Sequence, residues 1–327
     1  MTDPLISLIE LLDLEPIEVN IFRGANSDEV RQRVFGGQVA AQALVAAGRT
    51  VDRGRVHSLH SYFLRPGDPL TPILYEVDRI RDGRSFITRR VVAIQHGKAI
   101  FNLQCSFHTD ELSLEHQVTM PVVPDPDTLP SLPERLKDSD SLWTAYFDRP
   151  RPIDQRFIGD LPWTRSESAS PEAHRLLWLR ADGQLPDDPL LHAAVVAYAS
   201  DMTLYDSILR PHRIDWQECS FMGASLDHCM WFHRPFRADE WLLFDQESPA
   251  AAGGRGLARG LLFTAKGDLV VSVVQEGLIR IRNTDGSVPG APAASEAPRA
   301  RETPAGEVPR AGEAEPAGEA PPAGSRR

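Results

Sequence analysis

The sequence has few cysteines and no long hydrophobic segment. Only three of its 327 residues are cysteine, at positions 105, 219 and 229, an odd number without the close spacing of a metal site. With no recognisable signal peptide, this indicates reduced thiols, and we expect a cytoplasmic protein that needs no metal or other cofactor. No apolar segment approaches the length of a membrane span, so none is predicted.

The sequence also lacks an excess of positive charge and the short motifs of several enzyme classes. Its formal net charge is −11, which argues against nucleic-acid binding but allows a local basic patch for an anionic small ligand. It has no Gly-x-Ser-x-Gly elbow, Walker loop, dinucleotide fingerprint or HExxH zinc motif. The candidate functional residues are therefore single residues that interrupt an otherwise regular hydrophobic pattern.

The two halves of the chain resemble each other. Four anchors recur in the same order at a spacing of about 170 residues: Arg65-Pro66 with Arg234-Pro235, Arg84 with Arg255, Gly97 with Gly267, and Gln104 with Gln275. Short matches of this kind also arise by chance, but their common order favours duplication of a domain. If only one copy kept a working site, the differences between the halves indicate where it lies.

Hydrophobic periodicity predicts a helix followed by an antiparallel meander in each half. The predicted helices are 5–14, 36–48, 134–147 and 189–209, and the predicted strands are 17–22, 58–64, 73–80, 85–95, 99–108, 225–233, 241–247, 256–264 and 269–280. We therefore predict an α+β fold of two similar units whose sheets are joined.

Composition divides the chain into four segments. We expect a first unit over residues 1–120, a proline-rich crossover and helix over 121–150, and a second unit over 151–284. Residues 285–327 contain eight prolines and only two valines as large apolar residues, so this tail cannot bury enough surface to fold.

Asp201 is the first residue that interrupts the hydrophobic pattern of the second half. If its helix is continuous, the carboxylate lies on a stripe with Ala194, Ala197 and Leu204, where burial without donors is costly. Alternatively, Ser200 or Asp201 caps a new helix that starts at residue 202. The first helix, over 36–48, has no acid at all, and Asp206 lies off the stripe and is a weaker candidate.

Gln275 is the second break, because it extends the apolar row of Val271 and Val273 on one strand face. A glutamine there must find partners for up to four hydrogen bonds, or it is simply a residue at the end of a sheet that pairs with backbone. Ser225 starts the predicted strand 225–233 and, taken alone, is an ordinary turn residue.

Other candidates are weaker. We interpret His57, His60, His228 and His233 as structural residues of strands, and Cys105 as part of the core with its apolar neighbours.

Six segments carry motifs of a known family: 22–24 (Phe-Arg-Gly), 33–39 (Arg-Val-Phe-Gly-Gly-Gln-Val), 57–63 (His-Ser-Leu-His-Ser-Tyr-Phe), 199–201 (Ala-Ser-Asp), 225–234 (Ser-Leu-Asp-His-Cys-Met-Trp-Phe-His-Arg) and 274–277 (Val-Gln-Glu-Gly). Over residues 5–282 the chain resembles the acyl-CoA thioesterase II family, the TesB-like double hot-dog thioesterases. The resemblance implies two antiparallel sheets, each wrapped around a central helix, and a homo-oligomer.

The resemblance also implies hydrolysis of fatty acyl-CoA to free fatty acid and coenzyme A. Its catalytic trio of Asp, Thr or Ser, and Gln falls on Asp201, Ser225 and Gln275 of this sequence. Serine at 225, where the family member carries threonine, keeps the hydroxyl but loses the methyl that restricts its rotamers. Arg255 and Arg259 are candidate contacts to the nucleotide phosphates, although each taken alone fits a solvated turn arginine better.

Two alternative functions remain at this point. A hot-dog enoyl-CoA hydratase would need an Asp-x-Asn arrangement, and none of the four asparagines has an aspartate two residues before it. A catalytically silent acyl-CoA-binding protein is consistent with the serine at 225, whereas the retained Asp201 and Gln275 count against it.

Overall fold

The structure is a computed structural model that describes residues 3–27, 32–137, 150–161, 173–212 and 219–283. The tail predicted to be disordered, 285–327, lies outside the described residues, as does most of the helix predicted over 134–147. Five helices are described: α1 (Pro4–Leu12), α2 (Gly36–Gly48), α3 (Leu132–Leu136), α4 (Pro189–Ser200) and α5 (Asp206–Leu209).

Thirteen strands form one antiparallel sheet among the described residues. In chain order they are β1 (Glu15–Glu18), β2 (Ile21–Gly24), β3 (Arg55–Phe63), β4 (Ile73–Asp82), β5 (Phe86–Gln95), β6 (Lys98–His108), β7 (Ile153–Ile158), β8 (His174–Ala181), β9 (Cys219–Ser225), β10 (Asp227–Phe232), β11 (Leu242–Ala252), β12 (Arg255–Thr264) and β13 (Leu269–Asn283). The meander strands follow the predicted positions closely, because glycine-containing turns separate them.

The strand order reflects the duplication. Twelve strands follow the path β1-β2-β4-β5-β6-β3-β10-β13-β12-β11-β8-β7, which reads the same from either end once each strand is replaced by its repeat counterpart. The halves join where β3 and β10 pair antiparallel, with Leu59 opposite Met230. This is the expected double hot-dog, and its two sheets are continuous. β9 lies off this path and pairs with β13.

Helices α2 and α4 lie against each other inside the sheet, and they run antiparallel. A Cβ added at Gly37, at the start of α2, would lie 2.6 Å from the carbonyl oxygen of Tyr198, at the end of α4. At the opposite end, a Cβ at Gly48 would lie 2.4 Å from a methyl carbon of Leu190. Glycine at these two positions therefore lets the helices approach to a separation that larger side chains would prevent.

The side chain of Gln42 in α2 is fully paired. Gln42 is completely buried, and its amide donates to the carbonyl oxygens of Leu11 and Ala25 at 2.7 and 2.9 Å. Its oxygen accepts from the hydroxyl of Tyr75 at 2.7 Å. Because every strong donor and acceptor of this amide has a partner, Gln42 holds α2 in register with β4 and the N-terminal segment.

Three predicted boundaries are wrong. Residues 17–22 do not form one strand, because a turn at Val19 and Asn20 separates β1 from β2. The helix predicted over 189–209 ends at Ser200 and is followed by a turn. Ser225 ends β9 instead of starting the next strand, since β10 begins at Asp227.

None of the helices within the described ranges combines the length and apolar character that crossing a bilayer requires.

We predict that Gly37→Ala lowers the free energy of unfolding by about 1–3 kcal/mol, because the new methyl meets a backbone oxygen of α4 that cannot rotate away. Urea denaturation measures this. Gly48→Ala is the matched control: its methyl meets only the side chain of Leu190, and the replacement gains helix propensity. Equal stability of the Gly37→Ala variant and the unmodified protein would contradict the close approach of the helices.

Candidate active site

Asp201 is the C-cap residue of α4, with φ −79° and ψ −6°. The helix neither continues through this position nor restarts at 202, so both sequence interpretations are wrong: a turn follows, and α5 begins at Asp206. A carboxylate at a helix C-terminus is disfavoured by the helix dipole and by unpaired carbonyl oxygens. The position therefore needs compensating donors from other elements.

Ser225 and Gln275 reach this carboxylate from the sheet. Ser225, the last residue of β9, pairs with Gly277 of β13. Gln275 lies two residues earlier on β13, in the buried row that contains Val271 and Val273, as the alternation predicted. The backbone N–H of Leu226 donates to the carbonyl oxygen of Glu276 at 2.8 Å, which fixes the crossing from β9 to β10 directly beside the site.

The three side chains are in mutual contact. The Gln275 amide nitrogen lies 2.6 Å from Asp201 Oδ1 and 2.7 Å from Ser225 Oγ, and Ser225 Oγ lies 3.4 Å from Asp201 Oδ1. A carboxylate only accepts hydrogen bonds, so the NH2 group of Gln275 must face it. Gln275 gives one hydrogen to each partner, and the long Ser–Asp contact leaves the serine hydroxyl available to other acceptors.

Burial separates the roles of the three groups. Gln275 is 1 % exposed, whereas Asp201 and Ser225 are half-buried and line a cavity. Gln275 Oε1 is buried and has no hydrogen-bond partner among the described residues. The amide therefore lies behind the acid and the hydroxyl, which face the cavity, an arrangement suited to orienting a small polar molecule.

The first turn of α2 also faces the carboxylate. A Cβ added at Gly36 would lie 2.8 Å from Asp201 Oδ2, and the N-cap residue Phe35 gives the helix no side-chain cap. The first backbone N–H groups of α2 have no partner within the helix. Gly36 thus lets a positive helix end approach the acid closely, and the glycine pair in the sequence was the signal for it.

The cavity beside the trio has a volume of about 490 Å³. Its apolar wall includes Val39, Phe63 and Phe101, and two guanidinium groups, Arg33 and Arg65, lie at its lining. Sequence reasoning did not single out these two arginines. Because they belong to the first half, only the folded sheet brings them to the acid of the second.

Arg255 and Arg259 do not line this cavity. Arg255 donates to Glu276 at 2.8 Å and Arg259 to Glu247 at 2.5 Å, and both guanidinium groups are more than half exposed. Their predicted contact with substrate stays a prediction.

A buried histidine supports the end of α4. His228 is fully buried, and its Nε2 lies 2.9 Å from the hydroxyl of Ser200, the residue before Asp201. Burial lowers the pKa of His228 to about 4, so the ring is neutral at pH 7. This agrees with the structural role predicted for it. Among the described residues, no group of three or more His, Cys, Asp or Glu side chains is placed to hold a metal ion.

The first half has no buried glutamine in the place of Gln275. Gln104 is exposed on the outer face of β6, so its predicted match with Gln275 is wrong. Cys105 lies as far after the turn glycine Gly97 as Gln275 lies after Gly267, and it is buried on the inner face. Burial raises the pKa of the Cys105 thiol far above its usual range, which fits the predicted core role.

Counted from the first residue of each helix, Gly48 of α2 corresponds to Asp201 of α4. Leu190 fills the space that a side chain there would need.

Over most of its length the chain is similar to known proteins. Residues 148–278 match the family described as acyl-CoA thioesterase, and residues 25–108 match the acyl-CoA thioesterase N-terminal domain. Acyl-coenzyme A thioesterase 8 of Homo sapiens is 40 % identical over 292 residues, covering 83 % of this chain and 88 % of that protein. Acyl-CoA thioesterase 2 of Haemophilus influenzae is 38 % identical over 290 residues, covering 86 % and 99 %.

A solved structure is similar over the same extent. The acyl-CoA thioesterase II TesB2 of Mycobacterium marinum is 45 % identical, with a TM-score of 0.70, over 86 % of this chain and all of that chain.

We predict that acid weakens the fold through His228. Its folded pKa of about 4 lies below the ordinary 6.5, so its contribution to stability is complete above pH 6.5 and is lost as the pH falls towards 4. The loss is about 3 kcal/mol in the free energy of unfolding. His228→Gln should flatten the pH dependence of urea denaturation between pH 6.5 and 4. His212→Gln, at an exposed histidine, should not. An unchanged slope in His228→Gln would contradict this assignment.

Proposed function

The chain belongs to the acyl-CoA thioesterase II family, the TesB-like thioesterases, and from that premise we propose that Asp201, Ser225 and Gln275 orient the water that hydrolyses its acyl-CoA substrate. The observation that carries the proposal is the 2.6 Å hydrogen bond from Gln275 to Asp201, with Ser225 2.7 Å from the same amide.

The reaction needs little more than a well-placed water. Acyl-CoA hydrolysis adds water to the thioester carbonyl and breaks the carbon–sulfur bond, which gives a carboxylic acid and coenzyme A. A thioester carbonyl is electrophilic and thiolate is a good leaving group. The remaining activation barrier is lowered by orienting the water, accepting its proton and stabilising the oxyanion that forms.

Asp201 accepts the proton of the attacking water. Its Oδ1 already receives the Gln275 amide, which fixes the carboxylate plane and leaves Oδ2 on the side where Gly36 approaches. Ser225 gives the water a second hydrogen-bond partner, because its hydroxyl makes only a long contact with Asp201. Ser225 is not the nucleophile, since the one imidazole beside this site, His228, is bonded to Ser200 among the described residues.

The first turn of α2 stabilises the oxyanion. Its N–H groups lack a side-chain cap, and Phe35, Gly36 and Val39 all line the cavity that Asp201 and Ser225 face. A helix N-terminus carries partial positive charge, which favours negative charge that develops on the carbonyl oxygen. The acid and the oxyanion donors thus come from different halves of the duplicated chain.

The cavity suits the two ends of a fatty acyl-CoA. The acyl chain packs on the apolar wall formed by Val39, Phe63 and Phe101. Arg33 and Arg65 lie in the same lining and are better placed for the phosphates of the nucleotide than Arg255 and Arg259. No geometry of the described residues favours the hydratase or the silent binding protein.

Several expectations about the whole protein stay predictions from sequence and resemblance. They are units over 1–120 and 151–284, a crossover over 121–150, a tail over 285–327, a cytoplasmic location and a homo-oligomer.

We predict that Asp201→Asn lowers turnover by about 100-fold or more, because the amide cannot accept the proton of water. Release of free thiol from acyl-CoA measures it, with circular dichroism as the folding control. Asp206→Asn is the matched control. Burial raises the pKa of Asp206 to about 6, but this acid does not line the cavity, and turnover should stay within about threefold of the unmodified protein. Unchanged turnover in Asp201→Asn would remove this residue from the mechanism.

We predict that Ser225→Thr keeps activity while Ser225→Ala loses about tenfold or more, because only threonine preserves the hydroxyl that meets Gln275. The same thiol assay compares the two variants. A folded but inactive Ser225→Thr, or a fully active Ser225→Ala, would exclude the hydroxyl from the proposed role.

A further inference from the structure

We propose that a second cavity, at the opposite end of the α2–α4 pair, binds an aliphatic monocarboxylic acid without hydrolytic chemistry. This cavity has a volume of about 570 Å³. The choice of ligand rests on the proposed hydrolysis of fatty acyl-CoA, whose product is such an acid. The binding itself does not depend on turnover.

The second cavity is the counterpart of the active-site cavity under the duplication. The active-site cavity lies between the start of α2 and the end of β3, which contributes Phe63. The second cavity lies between the start of α4 and the end of β10, which contributes Phe232. The duplicated fold thus has two related cavities, and among the described residues the acid and the amide of the trio lie at the first of them.

His192 gives this cavity an imidazole donor, whereas no histidine lines the active-site cavity. It lies in the first turns of α4, lines the cavity and is 3 % exposed. The backbone N–H of Ala238 donates to His192 Nδ1 at 3.0 Å, so the ring proton must lie on Nε2. That Nε2–H is buried and has no partner among the described residues. Val39 of α2, an apolar residue, takes the corresponding place in the active-site cavity.

A buried donor without an acceptor is costly unless a ligand supplies one. A carboxylate or carboxylic acid oxygen fits this need. His57, on β3, also lines the cavity. Its Nε2 is a second buried nitrogen without a hydrogen-bond partner within the described ranges.

The rest of the lining favours an aliphatic chain over a nucleotide. The rings of Phe232 and Phe236 stack at 6.3 Å, and Ala193 adds to the apolar wall. Four basic and four acidic side chains line the cavity, so their formal charges cancel. Arg237 is paired with Asp187 at 3.2 Å, for example. A polyanion such as coenzyme A would find no net positive charge, whereas a single carboxylate needs only neutral donors.

The test uses the full-length protein and dodecanoate labelled with ¹³C at its carboxyl carbon. We expect a bound carboxyl resonance that persists when coenzyme A is added in excess. His192→Asn should abolish it or weaken its binding by about tenfold or more, because asparagine keeps an acceptor for Ala238 but loses the Nε2–H donor. His192→Gln, which can place a donor near the Nε2 position, is the matched control and should retain binding.

Turnover of acyl-CoA without added fatty acid should stay within about twofold in both His192 variants. This separates loss of the second site from failure of the hydrolytic trio, which Asp201→Asn tests. Phe236→Ala provides an independent variant that shortens the apolar wall and should also weaken binding.

Binding of dodecanoate that neither His192→Asn nor Phe236→Ala weakens would overturn the proposal. Displacement of the resonance by coenzyme A would also overturn it, because the cavity would then be a nucleotide site. Absence of any bound carboxyl resonance at millimolar dodecanoate would also overturn the proposal.

Discussion

The carboxylate of Asp201 lies where the end of one helix meets the start of another, and the candidate site depends on that electrostatic contact. The C-terminus of α4 disfavours a negative charge, and the uncapped N-terminus of α2 favours one. The antiparallel packing of the two helices brings both ends to the same place, where Gly36 allows an approach that a side chain would block. Gln275 completes the compensation with a hydrogen bond of 2.6 Å. An acid that would be unfavourable at the end of an isolated helix is therefore compensated by its neighbours.

Duplication explains why the site is assembled from both halves of the chain. A pseudo-twofold arrangement gives the helix pair two equivalent ends, each facing a cavity next to the point where β3 and β10 join. The ends then differ by a few side chains. Asp201 at one end corresponds to Gly48 at the other, and Val39 corresponds to His192. A cavity persists because it follows from the backbone arrangement, whereas its chemistry follows from these few residues.

Sequence patterns predicted regular elements better than their ends. The meander strands were found because glycine turns interrupt alternating runs, and turn chemistry is local. The end of α4 was missed because Met202 to Leu204 continue the apolar pattern after the helix has stopped. Gln104 was matched with Gln275 by residue type, but a shift of one residue in a strand moves a side chain to the opposite face. Burial therefore identifies Cys105 as the counterpart.

The sequence by itself determined the α+β class, the duplication and the residues that break the apolar pattern, because hydrophobic periodicity and turn composition act over a few residues. Its motifs further indicated the family and the trio of Asp201, Ser225 and Gln275. Only the tertiary structure decided that these three side chains touch, that the first turn of α2 faces them, and that Arg33 and Arg65 share their cavity. Those contacts join residues distant in the chain, and their distances are set by helix packing and strand register, which no local pattern encodes.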